Sequence, residues 1–176
     1  MPVMNDPASA TRPPVRTPQL IVVDDYLPDP DEVRAVALAE PFVKMHCAGL
    51  RTQAQFLHLA PFRSDFSALL GRALTHWDDN DANGRFQCCL AADAIPYHSD
   101  SQSYAGVLFL TPDAPREAGI SFFEGRLGGL RRRSTDAQKM ALTFGGGAEF
   151  DRSRWIEVDR VANLYNRLVL FDAHLA

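Results

Sequence analysis

The amino-acid sequence predicts a mainly β, α+β fold in which two N-terminal helices pack on a β-sandwich of the jelly-roll type. Three observations carry that expectation. From Gly84 onward the chain consists of short apolar, β-branched and aromatic runs separated by glycine, proline and aspartate, which is how a succession of short strands reads. No helix candidate of any length interrupts those runs, and this disfavours the alternating strand–helix pattern of a parallel sheet. Both helix-like stretches precede them.

In chain order, residues 1–18 hold Pro2, Pro7, Pro13, Pro14 and Pro18 among small and polar residues. Such a composition favours extended, unpacked backbone, so a tail is expected there and the folded domain is placed at 19–176. Leu20-Ile21-Val22-Val23 reads as a strand closed by Asp24-Asp25. Asp29-Pro30-Asp31-Glu32 supplies an N-cap, a proline at the first helical position and a carboxylate three residues after the cap, so a helix is expected from there to about Glu40, stopped by Pro41. Phe66, Leu69, Leu70, Ala73, Leu74 and Trp77 recur at three- and four-residue spacing, which predicts a second helix over 65–77 with that stripe against a sheet. The run from Asp78 to Gly84 lacks the glutamate that closes an EF-hand loop and reads as a turn. The strand candidates that follow are Phe86–Leu90, Ala105–Leu110, Ile120–Phe123, Met140–Phe144, Trp155–Val158 and Asn166–Phe171.

Composition narrows the function classes. With 46% hydrophobic and 23% charged residues in 176, the chain can bury a core of its own. The net charge of −4 lacks the basic excess of a nucleic-acid partner, and the one dense basic run, Arg131-Arg132-Arg133, reads as a solvated loop. Three cysteines, two of them adjacent, imply no disulfide framework, and Cys88 and Cys89 are expected as small buried residues. No apolar stretch approaches membrane-spanning length and no signal-like start occurs, so no membrane partner and a cytoplasmic location are expected.

The chemistry-bearing segment is Tyr97-His98-Ser99-Asp100-Ser101-Gln102-Ser103-Tyr104 at the entrance to the strand Ala105–Leu110. In extended backbone, residues two apart share a face, so His98 and Asp100 can aim an imidazole nitrogen and a carboxylate oxygen at one point. Those are two of the three ligands of a facial triad, which leaves open positions on a non-haem iron(II). His46, His58 and His76 have no partner at such spacing and read as structural or exposed. The Gly-x-Ser-x-Gly elbow of a serine hydrolase is absent.

The segment 97–107, together with Tyr165-Asn166-Arg167-Leu168-Val169-Leu170-Phe171-Asp172 some 60 residues later, resembles the Fe(II)/2-oxoglutarate-dependent oxygenase superfamily, in a poorly characterised bacterial branch. The resemblance covers residues 20–176. It implies a double-stranded β-helix, Fe(II) as the metal, 2-oxoglutarate as cosubstrate, and a hydroxylase-type reaction on a small molecule or peptide. Carried over position by position, it makes His98 and Asp100 iron ligands, with the distal ligand just past Phe171. His174 is the histidine available there, although related chains tend to place this ligand a few residues further on.

Such enzymes also draw a cation from the strand after the distal histidine to hold the far carboxylate of 2-oxoglutarate. The sequence ends at Ala176 ahead of any such strand, which leaves Arg167 and Tyr104 as candidates for that carboxylate. The same ending is expected to leave Asn166–Phe171 with an unpaired edge, open to a homodimer, and to make the chain a weak oxygenase. The alternatives are a jelly-roll binding domain that has lost catalysis, or a cupin-like metalloprotein that works without 2-oxoglutarate.

Overall fold

The structure, a computed structural model, describes residues 18–45, 48–77 and 81–175. The expectations for the tail before Pro18, for His46 and Cys47, and for Asp78 to Asn80 lie outside the described residues.

The elements follow from local sequence in most places. The β-branched run Leu20–Val23 is strand β1. Helix α1 spans Pro30–Ala39: the Asp29 carboxylate accepts the Glu32 amide at 3.0 Å, Pro30 opens the first turn, and Glu40, extended ahead of Pro41, ends the helix. Two short strands that sequence reading did not anticipate come next, β2 (Phe42–Lys44) and β3 (Leu50–Thr52). Helix α2 covers Phe62–Leu70 and stops at Gly71, which takes the left-handed φ of 65° that caps helices cheaply only in glycine. The predicted helix over 65–77 is therefore set one turn too late, and Ala73, Leu74 and Trp77 belong to the chain after the cap. Trp77 still meets the stripe, its ring edge-on to Phe66 with centroids 5.7 Å apart.

Strand β4 is only Gln87–Cys88, β5 is Tyr104–Leu108 and β6 is Ile120–Gly125. The expected strand Met140–Phe144 is a helix. Helix α3 spans Ala137–Phe144, and the Asp136 carboxylate caps the amides of Gln138 and Lys139 at 3.0 and 3.1 Å. An aspartate ahead of Ala-Gln-Lys-Met-Ala-Leu, all good helix formers, outweighs the apolar run on which a strand reading depends. Single 3₁₀ turns at Ala148–Phe150 and Arg152–Arg154 lead into β7 (Trp155–Val161), and β8 (Leu168–Asp172) closes the described chain.

These strands form three antiparallel sheets, ordered β1-β8-β5, β2-β3-β4 and β6-β7, so the protein is β-rich with three α-helices among the described residues. Strand β8 is central: Val169 pairs with Val22 on one side and with Val107 on the other. The free edge expected for Asn166–Phe171 does not exist, because the N-terminal strand β1 occupies it. With that edge covered, the argument for a homodimer through it falls away.

One face of this sheet carries Leu20, Val169 and Phe171 and packs on Phe122, Ile120 and Val161 of the β6-β7 pair, with the Phe122 and Phe171 rings edge-on at 5.5 Å. The other face receives α2. A Cβ built on Gly106 of β5 would lie 2.8 Å from the Phe66 ring and 3.7 Å from Leu170, so the glycine is what lets the helix aromatic settle on the strand. Leu70 is buried, while Phe66, Leu69, Leu74 and Trp77 are half-buried.

The cysteine expectation needs correcting. Cys88 and Cys89 are free and exposed, at and just beyond β4, which is the edge strand of its sheet. Partial burial of the Cys89 sulfur, which lies against Gly49, still pushes its thiol pKa up. No helix among the described residues is long and apolar enough to cross a membrane.

Candidate functional site

His98 and Asp100 sit in an irregular run between β4 and β5. That run is tethered on both sides of His98. The Tyr97 amide donates to the Glu149 carbonyl at 2.8 Å, and the Tyr97 ring stacks on Trp155 at 5.2 Å and meets the edge of Phe123 at 4.7 Å. Trp155 is fully buried and anchored through its indole N–H to the Ala148 carbonyl. Beyond His98, the Asp100 amide donates to the carbonyl of Ala173 at 2.8 Å, and the Ala173 amide returns a bond to Ser103 at 3.1 Å. The loop is thereby stitched to the end of β8.

The tautomer of His98 follows from its partner. Nδ1 lies 2.8 Å from the Pro96 carbonyl, which can only accept, so Nδ1 carries the proton and Nε2 presents its lone pair. That Nε2 stands 3.8 Å from Oδ1 of Asp100. The separation is too long for a hydrogen bond, and both atoms are acceptors. Two such donors at about 2.1 Å from one divalent ion would lie about 3.0–3.4 Å apart at octahedral or tetrahedral angles, so a closure of about 0.4–0.8 Å would let the pair share a cation. The His98 side chain is 59% exposed and that of Asp100 36%, so an ion could reach both from solvent.

His174 is the next residue along from the Ala173 anchor. Its Nδ1 lies 3.1 Å from Oδ1 of Asp172, its amide donates to the same oxygen at 3.0 Å, and Oδ2 of Asp172 accepts from Arg132 at 2.9 Å. His98 and Asp100 face one another, but among the described residues no group of three or more histidine, cysteine, aspartate or glutamate side chains is gathered to hold one ion. The donors present fit two positions of a divalent centre, and His174, whose ring is bonded to Asp172, is not gathered with them.

The two residues expected to hold a carboxylate are engaged within the chain. Arg167 grips Asp24 in a bidentate pair at 2.5 and 2.9 Å, and that hydrogen bonding holds the Asp24 carboxyl below its usual range and raises the guanidinium. It also precedes β8, six residues before the Ala173 anchor, or roughly 20 Å along an extended strand. The structure does not bring Arg167 to the pair. Tyr104 lies nearer, directly across from Asp172 in the ladder, and donates its hydroxyl to the Pro18 carbonyl at 3.0 Å. Burial, with the Asp172 charge adding to it, pushes the Tyr104 hydroxyl upward, so it stays a donor. His58 and His76 are exposed, away from the pair in sequence.

One residue escaped sequence reading. Arg132 belongs to a basic run that read as a solvated loop, yet a bridge between Arg132 and Leu175 carries it to the end of β8, where it meets Asp172. Nothing in Arg131-Arg132-Arg133 distinguishes its middle member, since the pairing is set by tertiary contact. Comparison of the chain with protein-family models, with curated proteins and with solved structures finds no match.

Proposed function

We propose that this chain is a jelly-roll, Fe(II)- and 2-oxoglutarate-dependent oxygenase of hydroxylase type, acting on a small molecule or peptide. The observation that carries the proposal is the His98–Asp100 pair: an Nε2 lone pair fixed by the Pro96 carbonyl faces a carboxylate 3.8 Å away, on a loop bonded to the backbone next to His174. His98, Asp100 and His174 are the residues that would hold the metal. Fe(II) bound there would supply the redox chemistry by which O2 and 2-oxoglutarate yield succinate and carbon dioxide while one oxygen atom goes to the substrate.

The chain's own contribution is positional. The Tyr97–Trp155–Phe123 aromatic cluster fixes the loop on one side, and the Asp100–Ala173 and Ala173–Ser103 bonds fix it on the other. The Tyr104 hydroxyl, a donor already bonded to Pro18, and the guanidinium of Arg132 are polar groups at that end of β8 suited to an anionic ligand.

A second reading has an observation in its favour. Among the described residues three donors are not gathered, and Arg167 and Tyr104 are occupied by Asp24 and Pro18, as in a jelly-roll module that binds a metal or ligand without turning over. Anaerobic titration with Fe(II) and then 2-oxoglutarate separates the two. The oxygenase reading expects a visible charge-transfer band and, on admitting air, succinate release. Metal binding with no band and no succinate sinks it in favour of the binding module.

A further inference from the structure

We infer that the cleft between helix α2 and Trp77 is a binding site for a small aromatic carboxylate, held by Arg63 at its charged end and by the Trp77 and Phe62 rings along its body. The cleft shares no residue with the His98–Asp100 pair and does not depend on the metal reading of that pair.

The cleft has a volume of about 430 Å³, and Leu57, Pro61, Phe62, Arg63, Ser67 and Trp77 are among the residues that line it. Sites for small organic ligands run from about 300 to 1,000 Å³, with apolar and aromatic walls and a few placed polar groups. Both rings are fixed before any ligand arrives. Phe62 stacks on Tyr26 with centroids 6.1 Å apart and meets Phe66 edge-on at 6.2 Å, and half-buried Trp77 stands edge-on to the same Phe66 at 5.7 Å. Walls of this kind match a planar, apolar body and lose little freedom in binding it.

Charge decides the other end of the ligand. Among the described residues, Arg63 is the one charged residue in the lining. A single bond from its Nη2 to the Leu74 carbonyl at 3.2 Å steadies the guanidinium, and its other N–H groups have no partner among the described residues. Such a fork takes a planar carboxylate through two parallel hydrogen bonds. The serine hydroxyls in the lining are spent on the chain itself: Ser64 donates to the Pro61 carbonyl and Ser67 to the Arg63 carbonyl, both at 2.8 Å. Pro61 at the N-cap offers no side-chain acceptor, so no side chain caps the first turn of α2, and the partial positive charge of the helix start adds to that of Arg63. A neighbouring cleft shares Ala60 and Pro61 with this one but carries Asp29, Glu32 and Asp65, which repel an anion. The carboxylate therefore belongs on the Trp77 side.

The chain holds two tryptophans, so two indole N–H signals in proton–nitrogen NMR of the 15N-labelled chain separate the cleft from the core. With the signals assigned by the loss of one in Trp77→Phe, titration with 3-phenylpropionate should move the Trp77 signal saturably. The signal of Trp155, which is fully buried, should stay in place. The dissociation constant should lie below about 5 mM and be at least about 10-fold higher for 3-phenylpropan-1-ol, which keeps the ring and lacks the charge. Arg63 is exposed, so Arg63→Gln should leave the fold intact, bring the carboxylate down to the affinity of the alcohol and leave the alcohol unchanged. Arg63→Lys, a point charge without the fork, should recover part of the loss. A dissociation constant above that limit for 3-phenylpropionate overturns the inference. So do equal affinities for acid and alcohol, and so does a carboxylate affinity that Arg63→Gln does not change.

Discussion

The two ends of strand β8 carry the same kind of group and use it differently. Ahead of Leu168, Arg167 is 15% exposed and locked onto Asp24, while buried Asn166, at a φ of 61°, accepts from the Leu27 amide and donates to the Leu27 carbonyl, both at 2.9 Å. The Arg167 and Asn166 side chains there join the C-terminal strand to Asp24 and Leu27, in the chain that follows β1. Beyond Phe171, Arg132, Asp172 and His174 are likewise linked, yet Arg132 is 50% and His174 31% exposed and an imidazole nitrogen is left over. A network turned into the core reads as fold, and one whose members stay open to solvent is free to meet a ligand as well.

The sharpest way to break this comparison is to change the apolar middle of the strand that joins its two ends. Leu170 is 1% exposed and sits beneath α2, so Leu170→Ala should cost about 2–5 kcal/mol in urea denaturation. A cost well under 1 kcal/mol would mean that β8 is not the core of the sheet and that neither of its ends is held as described.

At the site end, His98→Ala and Asp100→Ala should each lower Fe(II) or Co(II) affinity by more than about 100-fold, about 2.7 kcal/mol of binding, with little change in denaturation midpoint. Both side chains are exposed enough to be lost without a cavity, and the Asp100 amide that holds Ala173 survives the substitution. Arg167→Gln serves as the control at the structural end. Metal affinity that falls as far in Arg167→Gln as in His98→Ala would erase the distinction between the two ends.

Asn166→Ala should destabilise by about 2–4 kcal/mol, because it strands the Leu27 amide and carbonyl and puts a side chain poorly suited to it at positive φ. Asn166→Gly, which relieves the backbone but not the two hydrogen bonds, should recover only part of that. Full recovery would show that backbone conformation, not the amide, is what the position requires.

The smallest effect concerns acid. Arg167 lowers the Asp24 carboxyl below 3.8, so the pair contributes stability that is complete above that pH and is lost as pH falls through the folded value. Asp151 and Glu157 are lowered as well, by hydrogen bonds from Ser153 and Arg160. The readout is therefore the difference between the chain and Asp24→Asn, which should shrink on going from pH 5 to about pH 2. A difference that stays constant over this range would show that the pair makes no pH-dependent contribution.

How much of this was legible beforehand depended on how local each cause is. The strand Leu20–Val23 and the Asp29-Pro30 helix start are written within a few residues, and both appear where the sequence places them. Helix α2 was displaced because the stripe reaching Trp77 is real as packing, while Gly71 ends the helix that the stripe suggested. Helix α3 carries an apolar run that resembles a strand, and the Asp136 cap is the local feature that marks it as a helix. The short strands β2 and β3 carry little signal of their own and owe their form to pairing with each other and with β4.

The sequence by itself determined the β-rich class and the N-terminal helix start, and it set His98 two residues from Asp100, while the irregular run that carries them is held by distant bonds from Tyr97 to Glu149 and from Asp100 to Ala173. Tertiary structure alone decided the rest. It set β1 against β8 and removed the expected edge, committed Arg167 to Asp24, left Cys88 and Cys89 exposed, and brought Arg132 to Asp172 beside His174. Each of these joins residues tens of positions apart or depends on what covers a surface, and a pairing of that kind is fixed by the packing of whole sheets, which no local pattern in the chain records.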